Sequence, residues 1–397
     1  MANTALNNIS IPVFNGLQKP AQAQEESNYL TLYHGKATDS LARASSRDAE
    51  LNPITGNATV DTGEVKVVMQ KFTEIKGTLG VNTHKLLSVG IARFTELNNY
   101  SKKGEGKLEF TVTIPLREYA SLLGYDVMEH DTDTPEEAEA EKKRASNALK
   151  DAKKKIRKDL DVLRSIDLTW EEKVKGKTGD FVSIPIIGSR GIKGNNIYMT
   201  FDPSMASYLA KLPLTQYPLP LLSVDARQSN AYSMGLKFSE HYNNDNNQKR
   251  GTANRLKVDT LLKVTSLPSY EDVVKTRKGW EERIKEPFET ALDALTQSGI
   301  LKDWRYTGNK GAELTDAEAT PTDYESWSNL LIEFELISPV DHTERLERRA
   351  EEKKARAKKP RRKSSSKKEA TPATTPKTEV TEGNTEINTE EYKNLFQ

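Results

Sequence analysis

Three observations predict an α+β chain. A short helix, a connection, a longer helix and a β-hairpin follow one another twice along the middle of the sequence. A short pattern recurs where each longer helix ends: Leu160-Asp161-Val162-Leu163 with Ser165, Ile166 and Trp170, then Leu292-Asp293-Ala294-Leu295 with Ser298, Ile300 and Trp304. Both ends of the 397-residue chain are too polar to bury a core. The predicted architecture is two tandem winged-helix (winged helix-turn-helix) domains, at 61–221 and 222–340. They lie between a flexible leader (1–60) and a basic, then acidic, disordered tail (341–397).

The leader scatters Asn, Gln, Ser, Thr and Ala without apolar periodicity. A first helix is predicted over 82–99, where Leu86, Leu87, Ile91, Phe94 and Leu97 fall on helical spacing. The alternating run KLEFTVTI (107–114) predicts a strand, and 115–123 a short helix, with Pro115 suited to its first turn and Gly124 to its exit. An acidic loop precedes a long helix over 135–164, followed by strands at 167–174, 181–187 and 196–201. The order restarts with helices at 226–242, 252–263, 269–275 and 278–297 and strands at 301–306 and 330–337.

Composition narrows the chemistry. The chain has no cysteine, which removes disulfides, thiolate zinc sites and cysteine nucleophiles and suits a reducing compartment. It has no run of about eighteen apolar residues, so the expectation is a soluble, cytoplasmic protein without a membrane partner. Net charge is +1, but the charge is segregated. Ten Lys or Arg and no acid lie between Lys353 and Lys368, and a second basic concentration lies between Lys142 and Arg164. Such segregation is the footprint of a phosphate-backbone binder.

The faces of the 135–164 helix sharpen this. Leu149, Ala152, Ile156, Leu160 and Leu163 make one apolar stripe. The opposite face carries Lys143, Asn147, Lys150, Lys154 and Lys158, flanked by Arg144, Lys153 and Arg157. A helix presenting such a ridge has the width and donors for a major groove, with Asn147 as base reader and lysines on phosphates. The following turns add Lys173, Lys175, Lys177, Arg190 and Lys193. In the second half, Trp280, Ile284, Phe288, Leu292 and Leu295 stack inward on the 278–297 helix. That leaves Arg277, Lys278, Arg283 and Lys285 near its amino end, and Pro287 is expected to kink it. Lys249, Arg250 and Arg255 are candidate phosphate clamps.

Enzyme signals are weak. Gly176-Lys177-Thr178 lacks the glycine of a phosphate-cradling loop, since residue 171 is Glu, and Gly188, Gly191 and Gly194 miss the dinucleotide spacing. His34, His84, His130, His241 and His342 are isolated in sequence. No catalytic residue, metal or cofactor is expected. A transcription regulator would use the same fold and charges, and an origin nickase or nuclease is the rival from another class.

The segments IPLREYASLLGYD (114–126), KKIRKDLDVLRSIDLTWEE (154–172), NAYSMGLKFSEHYNNDNNQ (230–248) and LPSYEDVVKTRKGWEERIKEPFETALDALTQSGILKDW (267–304) resemble the iteron-binding replication initiators of theta-replicating plasmids. The likeness is nearest to the branch carried by plasmids and mobile elements of Gram-positive bacteria. It covers most of 65–340 and neither tail. It implies two winged-helix domains that bind double-stranded origin repeats as a monomer and start DNA replication. It also implies a homodimer through the first domain that represses its own promoter, and recruitment of host replication factors. By position, Asn147 to Lys158 and Lys278 to Lys285 would be the recognition helices. The sequence departs from the compact family pattern in its basic carboxyl tail and in the acidic loop 129–141. The tail is expected to add affinity without specificity. Its end, EEYKNLFQ, resembles the close of sliding-clamp-binding peptides but lacks their leading Gln.

Overall fold

In the computed structural model, residues 29–45, 49–63, 65–75, 79–99, 108–132, 134–174, 177–276, 279–319 and 321–337 are described. The segment expected to be a flexible leader opens with strand β1 (Tyr29–Tyr33) and helix α1 (Lys36–Ala44). Strands β2 (Glu50–Leu51), β3 (Ala58–Asp61) and β4 (Lys66–Met69) follow. Leu30, Leu32, Ala37, Leu41, Ala58 and Val60 are all buried. The described part of the expected leader, 29–45 and 49–60, thus carries strands and a helix, while residues 1–28 and 46–48 lie outside the described ones. These elements are too short to show a periodicity, and β1 and β4 each take a ladder partner from far along the chain. β1 pairs over its whole length with Leu214–Pro218.

After a single turn at Phe72–Ile75 the helical part begins with α2 (Val81–Asn99), β5 (Thr111–Pro115), α3 (Leu116–Leu122) and α4 (Pro135–Arg164). Pro115 ends the strand and caps α3, where a missing N–H costs nothing. Thr134 starts α4 with a reciprocal pair: its hydroxyl accepts from the Glu137 N–H, and the Glu137 carboxylate accepts from the Thr134 N–H. Strands β6 (Ile166–Val174), β7 (Lys177–Pro185), β8 (Ile187–Lys193) and β9 (Asn196–Phe201) follow, then α5 (Pro203–Leu209) and β10 (Leu214–Pro218).

Two sheets divide these strands. β5, β9 and β8 form a three-stranded antiparallel sheet with β9 central, while β6 and β7 continue the amino-terminal strands in the order β2-β3-β4-β6-β7. The single strand expected at 181–187 is thus the end of one strand and the start of another in a different sheet.

The second half contains a 3-10 turn at Leu219–Ser223, α6 (Ser229–Tyr242), α7 (Asp245–Arg250), β11 (Arg255–Lys257), α8 (Val258–Leu262) and α9 (Tyr270–Lys275). A π turn at Glu281–Lys285 leads into α10 (Glu286–Gln297), followed by β12 (Leu301–Thr307), α11 (Tyr324–Asn329) and β13 (Leu331–Leu336). The helix expected over 252–263 begins as a strand because Leu256 pairs with Ile332 of β13. The order β11-β13-β12 matches β5-β9-β8: the strand before the short helix and the first strand of the final hairpin flank the last strand.

The recurring sequence pattern matches this duplication only in part. Leu160, Leu163 and Ile166 are buried like Leu292, Leu295 and Ile300. Trp170, however, lies on β6 in the five-stranded sheet, whereas Trp304 lies on β12 in the three-stranded one. A whole hairpin, β6–β7, separates α4 from the sheet strand that corresponds to β12.

The halves meet where α2 faces α6. His84 Nδ1 and the Tyr232 hydroxyl are 2.8 Å apart, and the Lys85 ammonium donates to the Val224 carbonyl. Gly235 lets α6 lie close against the 3-10 turn and α10: a Cβ there would lie 2.4 Å from Leu221 Cδ2 and 2.9 Å from Leu295 Cδ2. Among the described residues no helix is long and apolar enough to cross a membrane.

Candidate nucleic-acid interface

The helical period builds the ridge of α4. Ala145, Ala152, Ile156, Leu160 and Leu163 are buried, so residues half a turn away face solvent. Lys143, Asn147, Lys150, Lys154 and Lys158 are exposed, as is Arg157 on the flank. At 1.5 Å per residue, Asn147 to Lys158 spans about 16 Å of helix. Asp151 is exposed one step off the same line, so the ridge is not uniformly cationic.

Arg144 leaves the ridge. Its guanidinium donates to both Glu141 carboxylate oxygens at 2.6 and 2.7 Å and to the Asp126 and Met128 carbonyls at 2.9 and 2.8 Å. It also pairs with the Asp126 carboxylate. These bonds hold the Glu141 carboxyl down at about 2 and strap the loop after α3 onto α4. Arg144 is thus a strut between that loop and α4, a role that competes with the DNA contact expected of it.

Two further candidates are similarly occupied. Arg190 on β8 pairs with Asp161 of α4 at 2.5 Å, fixing the helix to its sheet. Arg255 on β11 pairs with Glu333 of β13 at 3.0 Å and is half-buried. Lys193 is exposed at the tight β8–β9 turn, where Gly194 takes a positive φ of 60°. Lys177 opens β7, and Lys175 lies outside the described residues.

In the second half Arg283 is exposed and Lys285 half-exposed, on either side of the buried Ile284. The kink expected at Pro287 takes the form of the wider π turn just before it. Pro287 has no N–H, and its ring would crowd the carbonyl four residues back in a regular helix. One extra residue in the preceding turn relieves that contact. Arg277 and Lys278 lie outside the described residues. Lys249 and Arg250 are exposed in the last turn of α7, where cations complement the carbonyl end of a helix.

Among the described residues the histidines are not isolated in space; His342 lies outside them. His84 meets Tyr232, as described, and burial pushes its imidazole down to about 4. His34, Asp39 and Glu240 each bring one potential ligand atom within 4.8 Å of the others. Short-range spacing gives no sign of this group, since His34 and Glu240 stand in opposite halves of the chain. The basic tail and the EEYKNLFQ end also lie outside the described residues.

No protein-family model matches the chain, and no curated protein is similar to it.

Proposed function

We propose that this is a sequence-specific DNA-binding replication initiator built from two winged-helix units, which binds repeated origin sites of a plasmid or mobile element. The observation that carries the reading is the repeated strand order β5-β9-β8 and β11-β13-β12, each with a longer helix between the first strand and the last two, and exposed cations on that helix or just before its start. Helix, edge strand, short helix, longer helix and hairpin, with the last strand central, is the winged-helix order. The longer helix is the one such units lay in a major groove. Exposure of Asn147 among Lys143, Lys150, Lys154 and Lys158 supports a division between base reading and phosphate contact. Arg283 and Lys285 supply the second reading helix. Repression of the protein's own promoter through a dimer of the first unit, and recruitment of host replication factors, belong to the same proposal.

Footprinting and randomised-site selection on the element's own origin test it. The expected protected site covers about 20 base pairs, two helical turns for two tandem readers. Asn147→Ala and Arg283→Ala should each remove preference at a separate base position. A one-turn footprint, or wild-type preference in both variants, overturns the two-reader arrangement. Nicking of supercoiled origin DNA with Mg²⁺, or a covalent 5′ adduct, overturns the non-enzymatic reading. Specific binding without origin-dependent replication leaves a transcription regulator.

A further inference from the structure

We propose that His34, Asp39 and Glu240 form a site for one first-row divalent cation of the zinc class, which fastens the β1–α1 segment to helix α6. His34 follows β1 directly, Asp39 sits in the first turn of α1, and Glu240 is in the last turn of α6. The ligand atoms therefore come from two parts of the chain that only the fold unites. The chain has no cysteine, so the donors are one imidazole nitrogen and two carboxylate oxygens. That set suits zinc and its neighbours better than soft-ligand copper, and the nitrogen distinguishes it from an all-oxygen magnesium or calcium cage.

Four geometric facts point the same way. His34 Nε2 and Asp39 Oδ1 approach to 2.9 Å, yet Asp39 Oδ1 is buried without a hydrogen-bond partner. Two donor atoms close together but not aligned as donor and acceptor is the relation of two ligands around a common centre. The other ring nitrogen of His34 is 2.9 Å from the Tyr217 hydroxyl, the outer contact that orients a ligating imidazole. The Lys237 ammonium binds Glu240 Oε2 at 3.0 Å, while Oε1 accepts only a long 3.5 Å bond from the Tyr217 hydroxyl.

The fourth fact is independent of these three residues. The Ser233 hydroxyl is buried with no hydrogen-bond partner, and the residue is 4% exposed. With Asp39, Arg43, Lys237 and Glu240 it lines a void of about 10 Å³, room for a single water or ion. A metal-bound water there would satisfy the hydroxyl. The competing arrangement places a proton on His34 between the carboxylates and needs no metal.

The test uses the full chain, stripped with chelator, and needs no DNA. Zn²⁺ is titrated by calorimetry, and Co²⁺ serves as a spectroscopic probe of a low-coordinate nitrogen/oxygen site. One ion per chain is expected, with visible Co²⁺ bands that Zn²⁺ displaces. His34→Ala and Glu240→Gln should abolish the bands, and Tyr217→Phe should weaken binding by about 10–100-fold, the usual effect of losing an outer partner. His130→Ala controls for the exposed His130–Asp126–Glu141 group and should change nothing. Circular dichroism identifies any variant that fails to fold, and Glu240→Gln, which keeps side-chain shape, then decides. Absence of Co²⁺ bands in the wild type, or bands retained in folded His34→Ala or Glu240→Gln, overturns the site in favour of the proton. DNA binding can fail or succeed without affecting either outcome.

Discussion

The imidazole of His84 and the phenol of Tyr232 meet at 2.8 Å across the seam between α2 and α6, both of them buried. Both ring nitrogens of a charged imidazole are donors, so the bond in which the Tyr232 hydroxyl donates to Nδ1 exists only while His84 is neutral. Protonation in place would bury an uncompensated charge.

Stability should therefore fall with acid in a defined window. His84 titrates at about 4 in the fold against 6.5 when unfolded. As pH falls from 6.5 towards 4 the unfolded chain takes up a proton that the folded one refuses. The contribution is full above 6.5, shrinks through the window and levels below 4. Its ceiling is about 3 kcal/mol, from about 1.4 kcal/mol per pH unit. Urea midpoints between pH 4 and 7 should drop less steeply in His84→Gln than in the wild type.

Lys85 predicts the opposite limb. Burial holds its amine down at about 8, partly offset by Asp225, against 10.5 unfolded. Between 8 and 10.5 the unfolded chain keeps a proton the fold has lost, so stability should rise with pH, by at most about 3 kcal/mol. Lys85→Met should flatten that rise and be no less stable than the wild type at pH 7, since a buried charge is replaced by a side chain of similar length. Thermal or urea denaturation across pH 7–10.5 checks it.

Salt dependence separates ridge from strut. Lys154→Ala and Lys158→Ala should each lower the slope of log affinity against log salt by about 0.9 without changing base preference. Arg144→Gln should leave that slope unchanged, because its guanidinium is bound to Glu141, Asp126 and Met128. It should instead loosen the 126–130 loop, seen as faster proteolysis there. A slope change for Arg144→Gln equal to that of Lys154→Ala would restore it to the interface.

Pro287→Ala should regularise the helix. With an N–H restored and the ring gone, the π turn can relax to α geometry, which removes one residue and rotates the Glu281–Lys285 face by about 100° relative to α10. Stability should hold or rise by about 1 kcal/mol, while the base preference assigned to Arg283 should be lost. Hydrogen exchange at 281–289 and site selection report the two effects separately.

How far these features could be read from sequence follows the range of the interactions. The start of α4 is written within four residues, Thr134 to Glu137, and its ridge follows from the period, so both were legible. Arg144, Arg190 and Arg255 carry the same charge as Lys154, but their partners Asp126, Asp161 and Glu333 are set by tertiary folding. Trp170 and Trp304 sit in matching sequence contexts, yet strand pairing sends them to different sheets. His34 and Glu240 gave no signal because nothing local joins them.

Among the described residues β1 finds its ladder in β10 alone, and His34 beside it reaches Tyr217 across 183 residues. On a ribosome, at about 5–20 residues per second, that partner emerges roughly 10–40 seconds after the strand that awaits it. During that interval Leu30 and Leu32 are exposed on a nascent chain with an unpaired edge, the state that invites chaperone capture. β1 is made long before its partner and is among the last strands secured.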